Sequence, residues 1–360
     1  MAQAVRRPTL QRLLIMARYI LRRLLQGIPL VLIITLVLFV ILASLGDPLA
    51  TFGGVRRRLP PADRERLTRQ LGLDQPVILQ YVIWLVGNDW MQVDLDGDGQ
   101  GDEYGTRRGV LRGDFGVSYV ERRPALEVIG ERVWPTLLLM VVCEIVVILM
   151  ALLIGIYSAL RQYSLSDHVI TAFSFIGYSM PIFWLSLMLV YIFSVNFRRW
   201  GLPYFPVVGM YDLQEGPTVR QILWHLALPV ISLSIVSIAG YSRYVRSQML
   251  EVINQDYIRT ARSKGLGDRI VLTKHALKNA ALPLVTIIGL DLPLLLGGAI
   301  VTETIFGWPG MGRLYYRATN AADIPVIMGI LLITSVLVVV FQIITDITYT
   351  YLDPRIRYDT

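Results

Sequence analysis

The chain has 360 residues, of which 54% are hydrophobic and 17% are charged, and its formal net charge is +7 at pH 7. Soluble domains carry about 25% charged residues, so this composition excludes an ordinary soluble protein. A single cysteine, Cys143, excludes an intramolecular disulfide and a cysteine-based metal site. The positive residues flank apolar segments, which indicates the cytoplasmic face of a membrane and not a nucleic-acid partner.

The first apolar segment predicts a membrane-spanning helix. Residues 1–15 are polar and basic and predict an extension, and residues 16–45 predict the span itself. The apolar run is too long for a secretory signal peptide, and no small-residue cleavage site follows it. We therefore expect a retained span, with Arg18, Arg22 and Arg23 holding its N-terminal end inside the cell.

The polar segment over residues 46–134 predicts a large external loop, because long loops cross a membrane largely regardless of their charge. Two short helices are expected within it, over residues 60–71 and 77–86. The first is predicted to be amphipathic, and the second is predicted to have an apolar face.

An acidic insertion over residues 86–110 contains the string Asp-Leu-Asp-Gly-Asp-Gly-Gln-Gly-Asp. Carboxylates at loop positions one, three, five and nine, with glycine at six and a carbonyl at seven, are a ligand pattern for calcium. Gly105 replaces the usual glutamate at position twelve, so Glu103 or a more distant acid would have to complete the site. A bound ion would brace the loop and perform no chemistry; the alternative is a solvated acidic turn without metal. The predicted ligands are Asp94, Asp96, Asp98, Gln100 and Asp102.

Five more apolar segments predict membrane-spanning helices in a core over residues 135–351, before a cytoplasmic tail at 352–360. These segments cover residues 135–160, 170–195, 222–245, 282–305 and 326–351. With the first span they predict an all-α membrane protein with six transmembrane helices and both termini in the cytoplasm. Pro181 and Pro293 predict kinks, and Pro229 predicts an early break in the fourth span.

The most basic segment is the loop over residues 246–281, between the fourth and fifth predicted spans. From Arg243 to Lys278 the chain has eight Lys/Arg and three Asp/Glu, which predicts a cytoplasmic position. Residues 257–264 predict a short helix that ends at Gly265, and Asp268 is expected to cap a second helix. The two helices and the turn between them would form a rigid protrusion, which we call the knob. The apolar side of the second helix is predicted to hold Ile270, Val271, Leu272, Ala276 and Leu277.

Several strings of this chain resemble one family of transport proteins. In the basic loop they are Tyr-Ile-Arg-Thr-Ala-Arg-Ser-Lys-Gly-Leu and His-Ala-Leu-Lys-Asn-Ala; elsewhere they include Leu-Arg-Gly-Asp-Phe-Gly-Val-Ser and Thr-Glu-Thr-Ile-Phe-Gly-Trp-Pro-Gly-Met-Gly-Arg. They resemble the permeases of ABC importers, in particular those of the dipeptide/oligopeptide (peptide/nickel) branch. The loop departs from the general family pattern at Arg259, where glutamate is usual, and at Lys278, near the position of a proline.

The resemblance implies the type I ABC importer fold, in which the basic loop docks on a separate ATPase. The chain has no Gly-x-x-x-x-Gly-Lys string, so we expect another chain to bind and hydrolyse ATP and expect no enzymatic activity here. The alternative is a basic loop that only fixes membrane orientation. The residues implied in docking are Arg259, Thr260, Ala261, Lys264, Gly265 and Leu266.

The resemblance also implies the assembly and the cargo. The chain would be one of two homologous permease chains in a prokaryotic cell membrane, with two ATPase subunits and an external substrate-binding protein. Peptides would be the substrate; nickel chelates, glutathione or oligosaccharides are alternatives within the branch. A self-sufficient channel or secondary transporter is the rival from another class. A membrane enzyme is a further rival, but the three histidines form no convincing nucleophile–base pair.

Two carboxylates, Glu144 and Asp291, lie nearest the centres of predicted spans. Charges at that depth are costly and usually face a bundle interior or a water-filled cavity. Both are therefore candidates for lining the translocation path, with Asp291 near the amino terminus of a peptide. The alternative is a carboxylate that a neighbouring helix satisfies or that stays neutral.

Overall fold

The computed structural model describes residues 9–44, 60–94, 100–280, 284–285, 287–289, 291 and 299–352. Within these residues the chain is mostly helical, with one two-stranded antiparallel sheet in which β1 (Gln92–Val93) pairs with β2 (Glu103–Tyr104). The α-helices are α1 Thr9–Ser44, α2 Pro61–Gln70, α3 Val77–Val86, α4 Ala125–Leu160, α5 Leu165–Ser179, α6 Ile182–Leu189, α7 Phe197–Arg199, α8 Val219–Ile253, α9 Asp256–Ser263, α10 Asp268–Ile270, α11 Leu277–Ala280, α12 Ile300–Ile305, α13 Met311–Asn320 and α14 Ile324–Leu352. A 3₁₀ turn covers Val110–Arg112, and π-helical turns cover Val190–Asn196 and Val271–Ala276.

Five helical segments in the described part of the chain are long and apolar enough to cross a membrane. They are Ala17–Ser44, Ala125–Leu160, Ile182–Arg199, Val219–Ile253 and Ile324–Thr348. They fall on the first, second, third, fourth and sixth predicted spans, and the all-α membrane fold is confirmed. The fifth predicted span, including Pro293, lies largely outside the described residues.

Two predicted helix starts were too late. Helix α1 already begins at Thr9, inside the predicted extension. Helix α4 begins at Ala125 and runs through Pro135, where the second span was predicted to start. Ala125, Val128 and Ile129 are fully buried at helical spacing. Packing against the protein therefore extends this helix before the residues that were predicted to span the membrane.

The prolines of the third and fourth spans act differently. Pro181 follows an extended Met180 and separates α5 from α6, as the restriction on the residue before proline predicts. The predicted break at Pro229 is wrong, because α8 continues through it. Leu228 and Val230 are buried on either side, and this packing holds the helical course despite the missing N–H.

Contacts divide the chain into two compact units that are not continuous in sequence. The first unit comprises Met1–Leu21, Pro135–Pro309 and Val338–Thr360, and the second comprises Arg22–Trp134 and Gly310–Leu337. The first unit has a core of residues from α4, α8, α9 and the chain that follows. Gly155 of α4 lies so close to α8 that a Cβ would approach the Ser242 oxygen and Val245 to 2.7 Å.

Among the described residues, the second unit contains two apolar clusters of buried side chains. In one cluster, Ile129 of α4 packs with Met311 and Val326 of α13 and α14. In the other, Tyr81 and Trp84 of α3 pack with Met328 of α14. Helices α2 and α3 lie where the two short helices were predicted, and the apolar face of α3 buries Tyr81, Ile83 and Trp84.

Candidate functional site

The basic loop forms the helix–turn–helix knob that the sequence predicts. Helix α9 ends at Ser263, and Gly265 then adopts φ +75°, the left-handed conformation typical of a helix C-terminus. Its amide donates to the Arg262 carbonyl over 2.9 Å. Apart from its chain neighbours, no atom of the described residues would lie within 4 Å of a Cβ on Gly265, so only the backbone angle favours glycine there.

One side of α9 faces the protein and the other side faces away. Ile258 and Ala261, spaced three residues apart, are buried in the core of the first unit. Ala261, one of the predicted docking residues, thus turns its side chain inward, and docking through it stays a prediction. The other predicted docking residues are exposed: Arg259, Thr260, Lys264, Gly265 and Leu266.

The second half of the knob differs from the predicted helix in two ways. Gly267 occupies the cap position, and Asp268 is the first helical residue. The Asp268 carboxylate does not cap the helix and pairs with Arg262 Nε at 3.4 Å. Ile270 is exposed, contrary to prediction. The π-helical turn brings residues five apart to one side, so Val271 and Ala276 are both fully buried.

The cations of the knob remain available to a partner. Arg259 is 75% exposed, and its Nη1 lies 3.9 Å from a carboxylate oxygen of Asp256, which is itself almost fully exposed. Such an ion pair contributes little in water. The surface thus offers two cationic side chains, Arg259 and Lys264, together with the apolar side chain of Leu266.

A buried ion pair between α5 and α8 was missed by the sequence reasoning. Arg246 of α8 donates to both carboxylate oxygens of Asp167 in α5, over 3.0 and 2.8 Å. Ser158 of α4 and the amide of Tyr163 also donate to this carboxylate. These donors, Arg246 first, lower the pKa of Asp167 to about 2. Arg246 and Asp167 lie 79 positions apart, so no local pattern of the sequence indicates this pair.

The two predicted membrane carboxylates belong to the same unit and lie close enough to interact electrostatically. Tyr241 of α8 donates its hydroxyl to Asp291 Oδ2 over 2.6 Å. Glu144 of α4 is 7% exposed, and its Oε1 has no hydrogen-bond partner among the described residues. The structure therefore brings Glu144, Tyr241 and Asp291 into one cluster, which sequence separation does not reveal.

The predicted calcium loop lies at the tip of the β1–β2 hairpin. Asp94, Gln100 and Asp102 are described, whereas Asp96 and Asp98 lie outside the described residues. In the described part of the chain no group of three or more His, Cys, Asp or Glu side chains forms a metal site. The calcium site therefore stays a prediction.

The glycine at the twelfth position of that loop has a structural cause. A Cβ on Gly105 would overlap the side chain of Asn88. Asn88 is buried, and its side-chain Oδ1 accepts a hydrogen bond from the Arg107 amide over 3.0 Å. A glutamate at this position would therefore disrupt the base of the hairpin, so a twelfth ligand has to come from another residue.

The second unit has a pocket of about 290 Å³ beside Asp323. Asp323 accepts hydrogen bonds from the Ser118 hydroxyl over 2.5 Å and from the Tyr119 amide over 3.0 Å. These bonds connect Asp323 to the Gly-Val-Ser string ending at Ser118, one of the segments that carry the family resemblance. In this unit the shared pattern thus has a structural role.

Nearly the whole chain is similar in sequence to known proteins. Residues 151–358 match the family model described as the binding-protein-dependent transport system inner membrane component, and residues 16–141 match the model of its N-terminal region. The chain is 42% identical over 345 residues to the oligopeptide transport system permease protein AppB of Bacillus subtilis (strain 168), covering 95% of this chain and 100% of that protein. It is 36% identical over 365 residues to the dipeptide transport system permease protein DppB of Escherichia coli (strain K12), covering 95% and 99%.

One solved structure shares the fold. A chain of the inward-facing MetNI methionine ABC transporter superposes with a TM-score of 0.50 at 18% identity, covering 63% of this chain and 97% of that chain. At this identity the likeness concerns the fold alone.

Proposed function

Because this chain belongs to the family of binding-protein-dependent transport system inner membrane components, we propose that it is the permease subunit of an ATP-driven importer of dipeptides and oligopeptides. The names of its relatives AppB and DppB support peptides as the cargo. The chain would form half of the translocation pathway beside a second, homologous permease. Two ATPase subunits and an external binding protein would complete the complex, in a prokaryotic plasma membrane with both termini of this chain cytoplasmic.

The observation that carries this proposal is the exposed cationic knob fixed to a buried core. Arg259, Lys264 and Leu266 project outward, while Ile258 and Ala261 pack into the same apolar cluster as Val245 and Met249 of α8. Packed cores transmit displacement because they resist compression. A partner that grips the outward side would therefore move α8 along with the knob.

The proposed mechanism divides the work between chains. ATP binding closes the two ATPase subunits, each closing cleft moves the knob that it holds, and the attached helices rock to expose the pathway to the other side of the membrane. This chain supplies the docking surface and the pathway. Hydrolysis belongs to the partners, and this chain has no catalytic residues in the proposal.

Gly265 provides a matched pair of variants for this docking role. Gly265→Ala and Gly265→Trp both introduce a side chain at φ +75° and both pay about 1 kcal/mol of backbone strain. Only tryptophan adds bulk to the open outward surface. We expect Gly265→Ala to keep most of the peptide uptake and Gly265→Trp to reduce it at least tenfold.

The measurement is uptake of trialanine into proteoliposomes that hold the complete complex, together with its ATP hydrolysis. Uptake by Gly265→Trp equal to that by Gly265→Ala would contradict docking at this turn. The cargo is tested separately, by titrating the binding protein with trialanine, a nickel chelate, glutathione and an oligosaccharide. Tight binding of one of the last three, with none of trialanine, would select the alternative substrate.

A further inference from the structure

Among the described residues, the carboxylate cluster in the first unit has more hydrogen-bond acceptors than donors. The Tyr241 hydroxyl has one hydrogen, and it is directed to Asp291 Oδ2. It is therefore not available to Glu144, whose buried Oε1 has no partner among the described residues. A buried acceptor without a donor is costly, and a buried carboxylate more so, which indicates a missing positive or proton-donating group.

The described cations nearest in sequence to Tyr241 are engaged elsewhere. Arg243 lies over the rings of Phe175 and Tyr178, 4.9 Å from each centroid, and its Nε donates to the Ala239 carbonyl. Arg246 is held by Asp167, as described above. Within the described residues, neither carboxylate of the cluster forms a salt bridge with a Lys, Arg or His side chain of this chain.

We propose that Glu144, Tyr241 and Asp291 form a subsite that binds the α-ammonium group of a peptide during translocation. This inference rests on the proposed function. An ammonium group brings one positive charge and three N–H donors, and the two carboxylates offer acceptors for them. The tyrosine fixes Asp291, so that one acceptor is already oriented before the cargo arrives.

The chemistry of the subsite distinguishes cargo by the charge of its amino terminus. A free amino terminus is bound, whereas an acetylated amino terminus carries no charge and leaves both carboxylates without a cation. The subsite therefore recognises the end that every unmodified peptide shares and makes no demand on its side chains. Such a site suits cargo of varied sequence.

The test uses the detergent-purified permease–ATPase complex without the binding protein, so that the selectivity of the binding protein does not enter. Trialanine and N-acetyl-trialanine are added at ~10 mM, and the melting temperature is measured. Trialanine is expected to raise the melting temperature of the wild-type complex, and N-acetyl-trialanine is not. Asp291→Asn and Glu144→Gln should each abolish the response to trialanine.

A matched control is Glu303→Gln. Glu303 is a fully buried glutamate of the same unit that accepts a hydrogen bond from Thr136 over 3.1 Å, so its variant should keep the response to trialanine. The amide of Asn at position 291 still accepts from Tyr241, which preserves the fold of that variant.

The subsite would be overturned by equal melting shifts with both probes, or by a full trialanine shift in either Asp291→Asn or Glu144→Gln. An absence of any shift in the wild-type complex would overturn it as well. The proposed function is judged separately by trialanine uptake in the complete complex. Uptake together with failed binding tests would reject the subsite and keep the importer.

Discussion

Asp167 shows how one buried carboxylate joins three helices of the first unit. It accepts from Ser158 of α4, from Tyr163 before α5 and from Arg246 of α8. Its side chain is 3% exposed and that of Arg246 is 27% exposed. Removing one member of such a pair leaves an uncompensated charge, which costs more than losing an exposed pair.

We expect Asp167→Asn to lower the free energy of unfolding by about 2 kcal/mol at neutral pH. The folded-state pKa of Asp167, about 2, lies below its ordinary value of 3.8, so its stabilisation is fully present well above pH 3.8. It is lost as the pH falls toward 2, because the wild type then also becomes protonated. Thermal unfolding at pH 7 and near pH 3 should show the difference between variant and wild type shrinking.

The exposed pair of Asp89 and Arg112 serves as the control for that comparison. It is also bidentate, with both distances at 2.6 Å, but its side chains are 36% and 45% exposed. Solvent screens it, so Asp89→Asn should change the melting temperature less than Asp167→Asn does. An equal effect of the two variants, or no pH dependence for Asp167→Asn, would contradict the role assigned to the buried pair.

At the scale of elements, the β1–β2 hairpin fixes the two ends of the acidic loop. The Asp102 amide donates to the Val93 carbonyl over 3.1 Å, and the Gly105 amide donates to the Met91 carbonyl over 3.0 Å. The first and ninth positions of the predicted calcium loop thus follow and precede paired strands. A cation between them would brace a hairpin whose ladder is only two residues long on each side.

Calcium at millimolar concentration is expected to raise the melting temperature of the protein, because ligands that bind only the folded state stabilise it. The rise should vanish in Asp96→Asn and in Asp98→Asn. Asp74→Asn removes an exposed acid outside the insertion and should keep it. A wild-type melting temperature that does not respond to calcium would leave the insertion as a solvated acidic turn.

Helix α8 sets the topology at the scale of the whole molecule. It has 35 residues and is therefore about 52 Å long, well beyond the ~30 Å of a bilayer core. The loop before it and the basic knob after it must then lie on opposite sides of the membrane. Leu213, in the loop before α8, is 90% exposed, and Lys264, in the knob after α8, is exposed too.

Cysteine labelling tests this topology directly, because the native Cys143 is buried and should not react. In intact cells, a membrane-impermeant maleimide should label Leu213→Cys and not Lys264→Cys. After permeabilisation, both should be labelled. Labelling of Lys264→Cys in intact cells would reverse the orientation and reject the docking of a cytoplasmic ATPase.

The sequence by itself determined the features that follow from whether a segment of the chain lies in lipid or in water. Long apolar runs require helices whose backbone groups are satisfied within the segment, and the glycine turn at Gly265 follows from its own conformational freedom. Charge asymmetry and the shared strings identified the loop and the family. These signals lie in adjacent residues, so they can be found without knowing which parts of the chain meet.

Tertiary structure decided what depends on contacts between distant segments. Packing prolonged α4 to Ala125, carried α8 through Pro229 and turned Ala261 inward. It also brought Arg246 to Asp167, 79 positions apart, and Tyr241 to Asp291, 50 positions apart. No local pattern encodes such pairs, because a hydrogen bond of 3 Å depends on how whole helices are placed against each other.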